Sequence, residues 1–267
     1  MAHVQLEGVS KTFSMKVGGQ VQQMRALNRV SFDIQQGEIV ALCGPSGCGK
    51  TTALRIIMGL ETASSGTVTV GGKAVTGCGL DRGMVFQHAE LLPWKSALEN
   101  VKFALQMKGT PAADLQATAL RYIELVGLTA AKDRRPHQLS GGMKQRVGIA
   151  RALAIDPDVL LMDEPFGALD SQTRESLQME VLAIQERTRK TIIFVTHDLD
   201  EAVLLADRVV VMLGGQVRDV IPVGIPRPRH DMRAIRLHPE FMRRRTEIWE
   251  LLHEQTASPV TRAEVAA

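Results

Sequence analysis

What is scarce in this chain narrows it first. Its 267 residues include only three cysteines, Cys43, Cys48 and Cys78. An odd set with no metal-ligand spacing argues against a disulfide scaffold, and reduced thiols are expected. No apolar run reaches the about 18 residues that a membrane-spanning helix needs. The opening MAHVQLEGVS lacks the basic-then-apolar layout of a secretory signal, so the chain is expected to stay in the cytosol. Aromatic residues make up 4% of the chain and the net charge is only +3. With no long basic tract and no aromatic cluster beside one, nucleic acid is not an expected partner. What remains is ordinary for a folded protein with a substantial core: 45% hydrophobic and 23% charged residues. One domain, or a domain carrying a large insertion, is expected.

The most informative stretch is Cys43-Gly44-Pro45-Ser46-Gly47-Cys48-Gly49-Lys50-Thr51-Thr52, directly after the apolar run Ile39 to Leu42. The order is strand, glycine loop, helix. The glycines let successive backbone N–H groups point into one concavity, and the following helix adds its positive end to the same place. A phosphate group fits there, with Lys50 reaching the β- and γ-phosphates and Thr51 offering a hydroxyl to a magnesium ion that bridges them. Cys48, beside a helix N-terminus and Lys50, is expected to have more thiolate character than Cys78 and to be covered by bound nucleotide.

Along the chain, strands are expected at Val4 to Val9 and at Val30 to Ile34. Phe13 follows the first of them, before the Gly18-Gly19 loop; its ring suits either stacking on a base or a place in the core at a strand end. Thr67 to Val70 followed by Gly71-Gly72 reads as a hairpin. Gly83 to Gln87 reads as a short buried strand with Gln87 at its exit. From about Gln87 to Pro157 the pattern turns helical. Ser96 to Glu99 is a capping box, and Pro111 is expected to open a second helix with Leu115, Ala119, Ile123 and Val126 on one face. The run Leu91-Leu92-Pro93-Trp94 forms an apolar cluster that suits a partner surface or a core. Ser140-Gly141-Gly142 stands at a helix start, a second place where a phosphate can approach the backbone.

Val159 to Met162 is an apolar strand ending in Asp163 and Glu164. After a phosphate loop, that pair suits a metal carboxylate, Asp163, next to a carboxylate aimed at an attacking water, Glu164. Thr191 to Thr196 is the next buried strand, and His197 at its carboxyl end faces the ligand crevice of an open α/β fold. A strand from Arg208 to Met212 closes the core. The tail holds Pro222, Pro226 and Pro228 with Arg227 and Arg229, then an amphipathic segment at Phe241, Arg245, Ile248 and Leu252.

These motifs, in this order and over nearly the whole chain, resemble the ATPase subunit of ATP-binding-cassette (ABC) transporters. The resemblance implies an α/β fold: a P-loop NTPase core with an antiparallel β subdomain and an inserted α-helical subdomain. It divides the chain into an ATPase domain at 1–230, with a core at 1–86 and 158–220 and helices at about 87–157, and a helical tail at 231–267. Phe13 matches the adenine-stacking aromatic and Gly44 to Thr51 the Walker A loop, whose flank Thr52 joins the nucleotide site. Gln87 matches the Q-loop glutamine, a metal neighbour that senses the γ-phosphate. Leu139 to Met143 matches the signature sequence, with Met143 where the family usually has glutamine. Asp163 and Glu164 match the Walker B aspartate and the catalytic base, Asp170 the D-loop, and His197 the switch histidine.

The implied cofactors are ATP and Mg2+, and the implied reaction is ATP hydrolysis. The implied partners are a second copy of the chain, transmembrane permease subunits and, indirectly, a solute-binding protein, with the chain peripheral on the cytoplasmic face of the inner membrane. The Leu91 to Trp94 run, the sequence DEPFGALD from Asp163 to Asp170 and the Pro-Arg tail are similar to the nitrate, sulfonate and taurine importer group. A soluble ABC ATPase outside transport is the other reading, although such proteins usually carry two cassettes or long coiled coils. A kinase or GTPase would not need Leu139 to Met143.

Overall fold

The computed structural model describes residues 3–17 and 20–253. The expected Gly18-Gly19 loop and the last part of the expected tail, 254–267, lie outside the described residues. In chain order the elements are strands β1 (Val4–Val17), β2 (Gln20–Ile34) and β3 (Ile39–Cys43), helix α1 (Lys50–Met58), and strands β4 (Ser65–Val70), β5 (Lys73–Ala74) and β6 (Arg82–Val85). Then come helices α2 (Ala97–Lys108), α3 (Leu115–Leu125) and α4 (Gly141–Ala154). Strand β7 (Val159–Asp163), helix α5 (Ser171–Thr188), strand β8 (Thr191–Thr196), helix α6 (Leu199–Leu205) and strands β9 (Arg208–Leu213) and β10 (Gln216–Pro222) follow. Helices α7 (Met232–Leu237) and α8 (Pro239–His253) end the described chain.

Two sheets result. One is antiparallel, in the order β2-β1-β4-β5; the other runs β10-β9-β3-β8-β7-β6 and is parallel except for its edge strand β10. Strands β3, β7 and β8 are apolar through their middles, with Asp163 and Thr196 at the carboxyl ends of β7 and β8, because the sheet is covered on both faces. The pleat divides them between two cores. Ile39, Ala41, Leu160, Met162, Ile192 and Phe194 pack with the helices of the 97–154 region, with α5 and with the tail. Val40, Leu42, Val159, Leu161, Ile193 and Val195 pack with α1 and the antiparallel sheet. Among the described residues no helix is long and apolar enough to cross a membrane.

Two expectations shift, and two further features were not read from the sequence. The first hairpin is longer than its two expected strands, so Phe13 lies within β1, opposite Met24 of β2, and not after the strand. Irregularities between Leu6 and Val9 and again up to Thr12 break the alternation on which the shorter estimate rested. Pro111 opens a turn, with Asp114 N–H donating to the Pro111 carbonyl at 2.9 Å, and α3 begins only at Leu115. Strand β10 is not apparent in the sequence, because it is an edge strand with a shift in register between Val217 and Asp219 and mostly outward side chains. The tail is packed as part of the main core: Phe241 of α8 is 3% exposed and Ile248 is fully buried.

Two arginines of the Pro-Arg segment fasten that tail. Arg227 pairs with Asp207 at 2.7 Å and also meets Gln185. Arg229 is 3% exposed and donates to the carbonyls of Leu204 (3.2 Å), Ala206 (2.9 Å) and Ile225 (2.7 Å). Burial drives its pKa down to about 10, with Asp207 at 3.7 Å opposing the loss of charge. Arg229→Met should therefore strand three buried carbonyls and cost about 3 kcal/mol in denaturant unfolding. A variant as stable as the parent would show that Arg229 only fills space.

Candidate active site

The phosphate loop is seated by contacts that only glycine allows. A Cβ on Gly44 would stand 2.2 Å from the Met212 carbonyl oxygen of β9, and one on Gly49 would stand 2.5 Å from that of Ala26 in β2. Gly49 caps α1 at φ 99° with no side-chain hydrogen bond, and the first turn of α1 holds no acidic residue. By contrast α2, α4 and α5 are capped by their own Ser96, Ser140 and Asp170. The positive end of α1 is thus left for an anion. Lys50, 5% exposed, folds back so that its Nζ donates to the Gly44 carbonyl at 2.7 Å and the Pro45 carbonyl at 2.9 Å.

The carboxyl ends of the parallel strands complete the cluster. Thr51 Oγ1 donates to Asp163 Oδ1 at 2.8 Å, joining the first turn of α1 to the end of β7. Burial pushes the Asp163 carboxyl up and the Thr51 bond opposes that. Among the described residues no group of three or more His, Cys, Asp or Glu side chains could hold a metal. One carboxylate beside one hydroxyl fits a Mg2+ ion whose remaining ligands are phosphate oxygens and water. Glu164 has a left-handed backbone, φ 44°, rare for a side chain of its size. That turn sets its carboxylate between Gln87, whose Nε2 donates to Oε2 at 3.4 Å, and His197, whose Nδ1 is 3.4 Å from Oε1. Both contacts are at the long end of hydrogen bonding, so the three groups are gathered without being locked.

Phe13 joins neither core cluster. The Lys11 Nζ lies 4.8 Å from its ring centroid, while also pairing with Glu61 at 2.9 Å. Lys11 itself lies opposite Leu27 in β2, which Gly49 touches together with Ala26, so the ring is a short step along the hairpin from the phosphate loop.

Ser140-Gly141-Gly142 lies elsewhere. Ser140 accepts from Met143 N–H at 3.3 Å and caps α4. Gly141 and Gly142 lie against the start of α5 and the turn before it: a Cβ on Gly142 would stand 2.2 Å from the Thr173 methyl group in the first turn of α5, and one on Gly141 would stand 3.6 Å from Leu169 in the preceding turn. Asp170 in that turn accepts from Thr173 N–H at 3.0 Å, and these helix N–H groups hold its carboxyl below the usual range. The two stretches expected to bind phosphate therefore pack against different parts of one chain.

Several supporting residues were not singled out from the sequence. Gln145, 4% exposed in α4, donates to the Phe86 carbonyl at 3.0 Å, and Arg151 donates to the carbonyls of Ala89 and Glu90 at 2.7 Å each. These bonds tie the signature helix to the segment around Gln87. Buried Asn100 frames the loop before α2 through Leu92, Lys95 and Ser96. Their only sequence signal is a polar residue at an apolar helical position.

The comparisons agree with this geometry. A family model for ABC transporters matches residues 27–167. The taurine import ATP-binding protein TauB of Roseobacter denitrificans is 43% identical over 94% of this chain and 94% of its own length. The bicarbonate transport ATP-binding protein CmpC of Synechocystis is 45% identical over 94% of this chain, which spans only 38% of that longer protein. Among solved structures, a dimeric post-hydrolysis state of the ATP-binding cassette MJ0796 bound to ADP and Pi superposes with a TM-score of 0.73. It is 34% identical and covers 82% of this chain and 98% of its own. The chain belongs to the ABC transporter family, and it is an ATPase of that family.

One expectation is overturned. Cys48 is 3% exposed, with its side chain in the core beneath the loop. Burial pushes its thiol up, and the nearby Lys50 ammonium, 3.8 Å away, only opposes the rise. The neighbouring Cys43 is pushed up to about 12 by burial as well. With its side chain buried, Cys48 offers the loop surface only its backbone. Iodoacetamide should therefore modify exposed Cys78 in the native protein and reach Cys48 only on unfolding. Mass spectrometry finding Cys48 labelled as fast as Cys78 would contradict this placement.

Proposed function

We propose that this chain is the ATP-hydrolysing subunit of an ABC importer, working as a head-to-tail homodimer on a separate membrane permease. The observation that carries the reading is the convergence of Gln87, Glu164 and His197 beside the Thr51–Asp163 pair, at the carboxyl ends of the strands that flank the phosphate loop. ATP sits with its phosphates on Gly44 to Thr51 and its base against Phe13. Thr51 and Asp163, with Gln87 near them, would hold Mg2+, which would supply positive charge to offset that of the phosphates. Glu164 accepts the proton of the attacking water or orients it in line, His197 holds the γ-phosphate, and Lys50 offsets its charge.

Ser140, Gly141 and Gly142 close over the nucleotide of the partner subunit, with Asp170 at the same face. Support for this comes from the exposure of Ser140 and Gly141 beside the Asp170 turn, apart from the chain's own phosphate loop, and from the dimeric cassette that the chain resembles. Binding of ATP closes the pair and hydrolysis reopens it. The permease meets the loop before α2. There Leu91 packs on the core while Trp94 is 66% exposed, an aromatic anchor on a frame set by Asn100. The chain then lies peripherally on the cytoplasmic face of the membrane, and a solute-binding protein delivers the cargo on the other side. A relative named for taurine import and one named for bicarbonate transport support a small oxyanion or sulfonate, such as nitrate, taurine or an alkanesulfonate, as that cargo.

Glu164→Gln should lower the hydrolysis rate by roughly 10²- to 10⁴-fold while leaving ATP affinity near that of the parent. Steady-state phosphate release, set beside equilibrium nucleotide binding, measures both. Hydrolysis at near the parental rate would remove Glu164 as the base.

A further inference from the structure

A buried polar cluster lies behind His197, made of residues that the reading above does not use. Glu201, in the first turn of α6, is 7% exposed, although an acid at that place on a helix is ordinarily solvated. Both of its carboxylate oxygens are engaged by other elements. Thr196 Oγ1, at the end of β8, donates to Oε2 at 2.7 Å, and Gln178 Nε2, from α5, donates to Oε1 at 3.2 Å. The same Thr196 hydroxyl accepts from Asp198 N–H at 3.0 Å, so the two residues that flank His197 are joined through it. Asp198 in turn caps α6 by accepting from the N–H groups of Asp200 and Glu201.

A second arm leads away from Glu201 toward the Asp170 turn. Arg174 Nη2 donates to the Leu169 carbonyl at 3.0 Å. Its Nε is buried without a hydrogen-bond partner and lies 3.9 Å from Glu201 Oε1, which makes that carboxylate its charge partner. One buried side chain thus touches both the loop that carries His197 and the helix whose start carries Asp170.

We propose that Glu201 is a positioning residue: its carboxylate holds Thr196, and with it His197, in register with the Leu169–Asp170 turn. This rests on the role given above to His197 at the γ-phosphate. Leu169 lies beside Gly141, where a Cβ on the glycine would meet it at 3.6 Å, and Arg174 holds the Leu169 carbonyl, so a shift on the dimer face is passed through Arg174 and Glu201 to the histidine. Burial pushes the Glu201 carboxyl up, while the Thr196 and Gln178 bonds and Arg174 oppose that and favour the ionised form the network needs. The ionised carboxylate offers both oxygens as acceptors and makes the two bonds charge-assisted.

The test compares Glu201→Gln and the near-isosteric Thr196→Val in the full chain. Both should melt near the parental temperature and keep KM for ATP within about 3-fold, while kcat falls roughly 10- to 100-fold, as expected when a reacting group is misplaced. The double variant should be no worse than the poorer single one, because Thr196→Val removes the donor of the Thr196–Glu201 bond and Glu201→Gln removes the charge that strengthens it, so both act on one contact. Amide hydrogen exchange should quicken in Glu201→Gln at 196–201 and also at 169–174. Parental kcat in folded Glu201→Gln protein, additive losses, or faster exchange at 196–201 alone would each overturn the proposal; should Glu201→Gln fail to fold, Thr196→Val decides. His197→Ala hydrolysing at the parental rate would instead overturn the role of His197, and the paired exchange response would still decide whether Glu201 couples the two loops.

Discussion

The site depends on three parallel strands that end level. Cys43 of β3 lies opposite Thr196 of β8, and Asp163 of β7 opposite Val195 of β8. A slip of one residue would turn every side chain to the other face of the sheet. Held in this register, the first turn of α1 and the end of β7 meet in the Thr51–Asp163 hydrogen bond, and Glu164 and His197 emerge side by side. The register is strongly specified, because alternate residues of these strands fill two separate buried cores. Packing on both faces of the sheet and the geometry of the site are one constraint.

The same architecture keeps the signature stretch apart from the chain's own phosphate loop. The phosphate loop is wedged between β2 and β9, whereas the signature glycines lie against the start of α5 and the turn before it. On the proposed reading, that division is what makes ATP a link between two copies and not merely a ligand of one. The contacts of Gln145, Arg151 and Arg146 then become important, since they decide how the signature helix moves with the Gln87 segment and with α5. Arg146 pairs with Glu180 at 3.2 Å, and burial pushes that carboxyl up to about 7 with the arginine opposing.

Much of this was legible in the residues. Glycines at fixed spacing, a capping box at Ser96 and apolar strands ending in Asp163-Glu164 and His197 are local signals, and local signals survive in a single sequence. The misses have physical causes as well. Register shifts hid the length of the first hairpin, and an edge strand with an irregular register hid β10. Cys48 was misread because proximity to Lys50 is visible in sequence while burial is not. The roles of Arg229, Gln145 and Glu201 were not legible, since each acquires its role from partners distant in the chain or on another element.

The central claim is that Ser140-Gly141-Gly142 serves the nucleotide of the other subunit. It is tested most directly by introducing Ser140→Arg and measuring two quantities in the same preparation: MgATP affinity of the monomer and MgATP-dependent dimerisation by analytical ultracentrifugation. Ser140 is exposed and its cap is worth only about 1 kcal/mol, so the chain should remain folded. The account predicts monomer affinity within about 2-fold of the parent, less than 0.5 kcal/mol, together with loss of the ATP-dependent dimer. Loss of monomer affinity, or a dimer that forms as readily as the parent's, would contradict it.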